Sequence, residues 1–197
     1  MKMRKRLLLL DLDGTVRKPI EGEWVKGHNQ QLIPGVKCSI QKAKKTGWVP
    51  IGVTNQAGVH YGHKTLGECT KEQRYTMRLA GLFAVFFCPD LGTTCQLVYP
   101  KIFGMVPIAN DVLESEHQIF RKPSCGMLLA AVDYFAQHYY PELVDGMLPM
   151  SANELVRQNS FEIVMVGDRT EDKEAAETGG INFLSEKQFH RFGIPWD

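Results

Sequence analysis

The sequence predicts an α/β protein, a Rossmann-like three-layer sandwich with a mostly parallel central sheet and no large cap domain. Three observations predict it. Short apolar runs at residues 7–11, 48–53, 82–88, 161–166 and 181–184 have strand length, and longer amphipathic segments separate them, the order that builds β-α units around a parallel sheet. Polar clusters follow these runs, where an open α/β sheet binds its ligands. The 197 residues fit one domain of ordinary size, 1–197, large enough to bury a real core.

The first run holds four leucines, is too short to span a membrane, and ends in Asp11 and Asp13. Strand periodicity lets these two acids point the same way, and Gly14 permits a tight turn that brings backbone close to a ligand. Clustered carboxylates repel, so this pair requires a metal, a proton on one member, or both. The preceding Lys2, Arg4, Lys5 and Arg6 read as a solvated lead-in, because Asp11 and Asp13 cut the apolar run short of a signal peptide. Residues 14–34 read as a loop with a small hairpin near Trp24-Val25. Pro34-Gly35 opens a helix to about Lys45 with Val36, Ile40 and Ala43 on one face, and Gly47 stops it. The strand at 48–53 runs into Thr54-Asn55-Gln56. Residues 65–82 predict a helix with Leu66, Cys69, Tyr75 or Thr76, and Leu79 inward, followed by the very apolar strand at 82–88.

Residues 89–120 show no strong period and are rich in Pro, Gly and Asn. An insertion of this length within a compact domain is a functional loop or small cap; its Tyr99, Lys101, Phe103 and His117 either make it the specificity element or pack among themselves as a plain surface insertion. Residues 124–140 predict an amphipathic helix carrying Met127, Leu128, Ala131, Val132 and Phe135. A second irregular insertion, 141–160, holds a short helical turn near 153–156. The strand at 161–166 ends in Gly167-Asp168, a helix at 171–178 stops at Gly179-Gly180, and a strand at 181–184 and a helical turn at 186–192 close the chain. A net charge of +1 gives no bias toward nucleic acid or membrane. The five cysteines (Cys38, Cys69, Cys88, Cys95, Cys125) are odd in number and scattered, without CxxC, so free thiols and a cytoplasmic location are expected.

Four polar clusters carry chemistry: Asp11/Asp13, Thr54-Asn55-Gln56, Arg121-Lys122 and Asp168/Asp172. Three follow strands, and a right-handed parallel sheet brings such ends to one edge. Mg²⁺ takes a few carboxylate oxygens plus water and substrate phosphate. Lysine and threonine supply donors to phosphate oxygens. Arg121 either clamps an anion bidentately or serves a surface ion pair, and Asp172 serves either the site or the dipole of the helix it opens. No phosphate-binding Gly-x-x-x-x-Gly-Lys-[Ser/Thr] loop occurs, which argues against an attached kinase activity.

Asp11-Leu12-Asp13-Gly14-Thr15, Val53-Thr54-Asn55-Gln56-Ala57-Gly58, Arg121-Lys122-Pro123-Ser124-Cys125-Gly126-Met127 and Val166-Gly167-Asp168-Arg169-Thr170-Glu171-Asp172 resemble, in this order, the four motifs of the haloacid dehalogenase (HAD) superfamily. They most resemble its subclass III phosphatases, which include histidinol-phosphate phosphatases, heptose-bisphosphate phosphatases and a polynucleotide 3′-phosphatase domain. The resemblance spans residue 7 to about 190 and implies a HAD-like fold and Mg²⁺-dependent phosphomonoester hydrolysis through an aspartyl phosphate. It makes Asp11 the nucleophile and Asp13 the acid and base, with Asp13 holding a proton beside a charged Asp11. It assigns Thr54, Asn55, Arg121 and Lys122 to substrate binding, with Asn55 bonded to the nucleophile or the loop around it. Asp11, the backbone carbonyl of Asp13, and Asp168 would hold the metal, with Asp172 as their outer partner. The heptose branch carries a zinc loop; here Cys88 offers its first ligand, Asp90 replaces the histidine, and Gln118-Ile119-Phe120 bring no thiol. A rearranged set with His117 and Cys95 is not favoured, so structural zinc is not expected. A small phosphorylated metabolite, of the sugar-phosphate or histidinol-phosphate type, leads as substrate. A nucleic-acid 3′-phosphate end is the alternative, and a non-catalytic binding module is more remote. No membrane partner is expected, and oligomeric state stays open.

Overall fold

Four consecutive leucines need apolar cover on both faces of a strand, and the fold provides it. The structure is a computed structural model that describes residues 5–100, 106–107, 120–145 and 150–194. In chain order, strands β1 (Arg6–Leu10), β2 (Arg17–Lys18) and β3 (Gln31–Leu32) precede helix α1 (Val36–Lys45). Strand β4 (Trp48–Asn55), helix α2 (Leu66–Ala80) and strands β5 (Ala84–Cys88), β6 (Gln96–Val98) and β7 (Val106–Pro107) follow. Helices α3 (Gly126–Tyr139), α4 (Pro141–Val144) and α5 (Ala152–Arg157) lead to β8 (Ile163–Gly167), α6 (Thr170–Thr178), β9 (Asn182–Ser185) and α7 (Glu186–Phe192).

The central sheet has the order β7-β6-β5-β4-β1-β8-β9. Strands β5, β4, β1, β8 and β9 run parallel, with Leu9 opposite Ile51 on one side and Met165 on the other. Leu7 and Leu9 join Ile51, Phe86 and Met165 under α3, α5 and α6, where Met127, Leu128, Val132, Phe135, Leu155 and Ala175 complete the packing. Leu8 and Leu10 face the opposite way, onto Val36, Ile40, Cys69, Met77 and Phe189 of α1, α2 and α7. Alternate residues of one strand thus seed two cores, which makes the three layers. No helix among the described residues is long and apolar enough to cross a membrane.

Strand and helix bounds differ from the sequence expectation by a residue or two, but four elements differ in kind. The hairpin is not at Trp24-Val25: β2 and β3 pair antiparallel through Arg17–Leu32 and Lys18–Gln31, because the turn-forming residues between them leave Trp24 exposed. The 89–120 insertion is not free of strands. β6 runs antiparallel to β5 and β7 to β6, extending the sheet. Since Val98 lies opposite Val85 near the start of β5, Tyr99 returns to the sheet edge away from the polar clusters and stacks among Phe83, Tyr134 and His138. Lys101, Phe103 and His117 lie outside the described residues. The 141–160 insertion contains two short helices, with Leu155 buried and Leu143 packed against the α3-side core. On α2, Glu72 and Gln73 are buried while Leu66 and Leu79 are only partly so, for a reason that lies in the site.

Candidate active site

Parallel order puts the ends of β1, β4 and β8 at one sheet edge, and each ends in polar residues. Asp11 follows β1 directly, its N–H donating to the Val166 carbonyl at 2.9 Å, so the backbone of the next strand fixes its position. Its side chain is buried. Oδ1 accepts from Lys122 Nζ at 2.6 Å, while the buried Oδ2 has no hydrogen-bond partner among the described residues. Lys122, also buried, spends its other two ammonium hydrogens on the Val53 carbonyl at 3.1 Å and Asp172 Oδ1 at 2.5 Å. Its charge is therefore committed to the two acids on either side of it.

Asp172 serves both roles open to it. Its Oδ2 accepts from the Arg169 N–H at 3.1 Å at the start of α6, and its Oδ1 holds Lys122. Asp168 accepts from Thr15 Oγ1 at 3.1 Å. One carboxylate oxygen each from Asp11, Asp168 and Asp172 lie within 4.8 Å of one another. Two glycines make this closeness possible. A Cβ on Gly14, whose φ is +96°, would sit 2.3 Å from Asp168 Oδ2, and one on Gly167 would sit 2.3 Å from the Asp172 Cβ. Three converging acids and an unsatisfied buried carboxylate oxygen fit a hard divalent cation, which takes oxygen ligands and offsets their repulsion.

The Asp13 carboxylate stands apart from this cluster. It is held by Arg17, whose Nε donates to Oδ1 at 2.8 Å, and by Gln56 Nε2, which donates to Oδ2 at 2.7 Å. The expectation gave the metal only the backbone carbonyl of Asp13, and the Asp13 side chain stands outside the carboxylate cluster, whereas Asp172, expected as an outer partner, stands within it. The chain's own side chains shift the two acids in opposite directions. Burial pushes Asp11 up; Lys122 pulls it back and Asp172 adds to the rise, leaving it at about 7. Burial also pushes Asp13 up, but Arg17, Gln56 and Lys64 outweigh it and hold the carboxyl below its ordinary value. The protein's own groups therefore favour a charged Asp13, because the chain supplies a cation that sequence reasoning left in a loop. Burial lowers Lys122, but Asp11 and Asp172 outweigh it and keep the ammonium charged. Asp168 is raised, by burial first and by Asp172.

The remaining expected residues divide. Thr54 is buried beside the cluster and its Oγ1 accepts from Gln56 Nε2 at 3.1 Å. Asn55 does not bond Asp11. Its Nδ2 donates to the Lys122 carbonyl at 2.9 Å and its Oδ1 accepts from the Lys122 N–H at 3.1 Å, clamping the loop that aims the lysine. Arg121 is half-buried, and its buried Nη1 has no hydrogen-bond partner among the described residues.

No family model matches the chain. It is 28% identical over 179 residues to the D-glycero-α-D-manno-heptose-1,7-bisphosphate 7-phosphatase of Burkholderia mallei, covering 91% of this chain and 78% of that protein. It is 27% identical over 179 residues to the D-glycero-β-D-manno-heptose-1,7-bisphosphate 7-phosphatase of Escherichia coli K12, covering 88% of this chain and 74% of that one. The crystal structure of a D,D-heptose 1,7-bisphosphate phosphatase from B. bronchiseptica, complexed with magnesium and phosphate, shares the fold. Its TM-score is 0.54 at 21% identity over 90% of this chain and 78% of the other. A HAD-like phosphatase structure from Mesorhizobium loti gives a TM-score of 0.55 at 21% identity, over 90% and 70%. In sequence this chain is similar to heptose-1,7-bisphosphate 7-phosphatases, and it shares the fold of HAD-like phosphatases.

Sequence reasoning missed Arg17, Glu72 and Lys64, which sit behind Asp13. The signal was present on α2. Cys69, Glu72 or Gln73, and Thr76 follow the inward stripe of the helix, and a polar interruption of a buried stripe calls for a buried partner. Arg17 is that partner, its Nη2 donating to Glu72 Oε1 at 3.1 Å.

Proposed function

We propose that this chain hydrolyses the phosphomonoester of a small phosphorylated sugar, with Mg²⁺ and through an aspartyl phosphate on Asp11, and that residues 1–197 form one catalytic domain. One observation carries the reading: Asp11 is buried with one oxygen fixed by Lys122 and the other without a partner, next to the carboxylates of Asp168 and Asp172. Asp11, Asp168 and the backbone carbonyl of Asp13 would hold Mg²⁺, with Asp172 beside them. The ion supplies charge neutralisation on the phosphoryl oxygens and favours the ionised form of Asp11.

The chain's own residues do the rest. Asp11 attacks phosphorus, an O–P bond forms, and the bond to the leaving oxygen breaks with its electron pair. Asp13 gives that oxygen a proton, which it carries once the dianionic phosphoryl group has raised its proton affinity. A water then attacks phosphorus, returns a proton to Asp13, and frees Asp11. Lys122 balances charge around the nucleophile, Thr54 would donate to the transferring group, and Asn55 keeps the Lys122 loop in register. The unpartnered Nη1 of Arg121 supports contact with a further anionic group of the substrate. The heptose-bisphosphate phosphatases among the relatives support a sugar phosphate. The free thiols are consistent with a reducing cytoplasm.

A second reading, a nucleic-acid 3′-phosphate end, is favoured by Trp24 and Tyr61, which are 77% and 62% exposed on the loop between β2 and β3 and the loop following β4, where bases can stack. Turnover of sugar mono- and bisphosphates is compared with that of a 3′-phosphorylated oligonucleotide, each with Mg²⁺ and with chelator. The proposal expects Mg²⁺-dependent release and at least a tenfold kcat/KM preference for a sugar phosphate. The reverse preference would establish the second reading.

A further inference from the structure

We propose that Arg17 is the positioning residue of this site: its guanidinium fork, anchored on α2, fixes the Asp13 carboxylate at the angle from which it serves the leaving oxygen. The inference rests on the reading above that Asp13 handles the proton.

Arg17 has no exposed surface, so it cannot touch substrate, and whatever it does passes through the side chains it holds. The loop after β1 curls to bring it back beside Asp13: the N–H groups of Val16 and Arg17 both donate to the Leu12 carbonyl, and the Gly14 N–H donates to the Arg17 carbonyl. Nε and Nη2 then donate to the two oxygens of Asp13 at 2.8 and 3.4 Å. Away from Asp13, Nη2 donates to Glu72 Oε1 at 3.1 Å, and Nη1 donates to Gln30 Oε1 at 3.3 Å and to Thr76 Oγ1.

From Glu72 the bonding continues back to Asp13. Lys64 Nζ donates to both Glu72 oxygens at 2.9 and 3.0 Å and to Gln56 Oε1 at 2.6 Å. Gln56 Nε2 closes the circuit on Asp13 Oδ2 at 2.7 Å. Asp13, Arg17, Glu72, Lys64 and Gln56 therefore form a closed ring of two acids, two cations and an amide. Asp13 is its most open member, with 35% of its side chain exposed, against 13% for Lys64 and almost none for Arg17 and Glu72. A buried ionic lattice is a poor source of stability compared with apolar packing. What it supplies is a fixed geometry, and here that geometry ends on the carboxylate that serves the leaving oxygen.

Leaving groups distinguish positioning from general damage. When the P–O bond breaks, the electron pair goes to the leaving oxygen. An acidic phenol departs as its anion unaided, whereas a sugar alkoxide needs the proton from Asp13. The test compares kcat/KM for a sugar phosphate and for nitrophenyl phosphate in the wild type, Arg17→Lys and Glu72→Gln. Lysine keeps the charge but not the fork, and Glu72→Gln cuts the anchor without touching Asp13. The expected result is a drop in the sugar-to-aryl kcat/KM ratio of about 10²-fold in Arg17→Lys, in line with the size of general acid catalysis, and a smaller drop of the same sign in Glu72→Gln. On an Asp13→Asn background, Arg17→Lys should cost the sugar phosphate nothing more. Should Arg17→Lys fail to fold by thermal melting, the Glu72→Gln ratio decides. An unchanged ratio, or multiplicative losses in the double variant, would overturn the assignment. Wild type that releases phosphate from neither substrate overturns the reading of the site, and the role of Arg17 with it.

Discussion

Gly14 joins backbone geometry to metal chemistry, since its positive φ and the 2.3 Å approach to Asp168 both require the absence of a Cβ. Gly14→Ala is expected to cost about 1–3 kcal/mol in backbone strain and to push Asp168 out of the acidic cluster. A urea melt reads the first effect and the Mg²⁺ concentration for half-maximal activity, which should rise, reads the second. Lys122 is the electrostatic centre of the same cluster. Removing it leaves Asp11 and Asp172 buried without a cation, so Lys122→Met should destabilise the metal-free protein by about 3–5 kcal/mol, measured with chelator present. An unchanged melt would mean the two acids are not held as the geometry has them. At this scale the sequence placed Asp11, Asp168 and Asp172 at element ends, and the structure brings their carboxylates together. The partner of Asp13 was not legible, because Arg17 reaches it through a turn that strand periodicity does not describe. Asn55 was legible as a functional amide but not as a clamp on backbone, since its target lies 67 residues away.

Among the elements, the strands and long helices follow from apolar period, and what escaped was built from polar contacts. The turn after β5 is an example. Asp90 accepts from the N–H groups of Gly92, Thr93 and Thr94 and from the hydroxyls of Thr93 and Thr94, and so starts the reversal that leads into β6. Cys88 donates its thiol hydrogen to Asp90 rather than standing as a thiolate, and burial pushes that thiol up to about 12. Burial raises Asp90, but the threonine hydroxyls and backbone donors together outweigh it and hold it well below the usual carboxylate range. A depressed folded value contributes stability above the ordinary carboxylate pKa of about 3.9, and that contribution is lost as pH falls through the folded value. Asp90→Asn should therefore lower the urea midpoint at neutral pH and narrow the gap between neutral and strongly acid midpoints. Parallel curves for variant and wild type would show that the turn does not depend on the charge. The two short antiparallel strands were hidden for a related reason: three- and two-residue strands are too brief to show a period.

For the whole molecule, the layered architecture matters because it converts sequence order into one reactive edge. Strands β1, β4 and β8 are neighbours in the sheet although Asp11 and Asp168 are far apart in the chain; the β-α-β order and the gathering of strand ends at one edge were legible in the alternation of segments, but the strand order was not. If Asp11, Asp168 and Asp172 bind Mg²⁺ only when the sheet brings them together, the ion must stabilise the native state. At about a hundredfold excess over its Kd, Mg²⁺ should add about 2.7 kcal/mol, visible as a rise in melting temperature that Asp168→Asn abolishes. Flat melting curves across a Mg²⁺ titration would remove the metal from the account. The central claim is that Asp11 takes the phosphoryl group from substrate. The most direct measurement is acid quenching of the enzyme during turnover of an aryl phosphate, followed by mass spectrometry of its peptides. The account expects a phosphoryl group on the peptide holding Asp11, absent in Asp11→Asn. Steady phosphate release with that peptide never modified, or full release by Asp11→Asn, would contradict it.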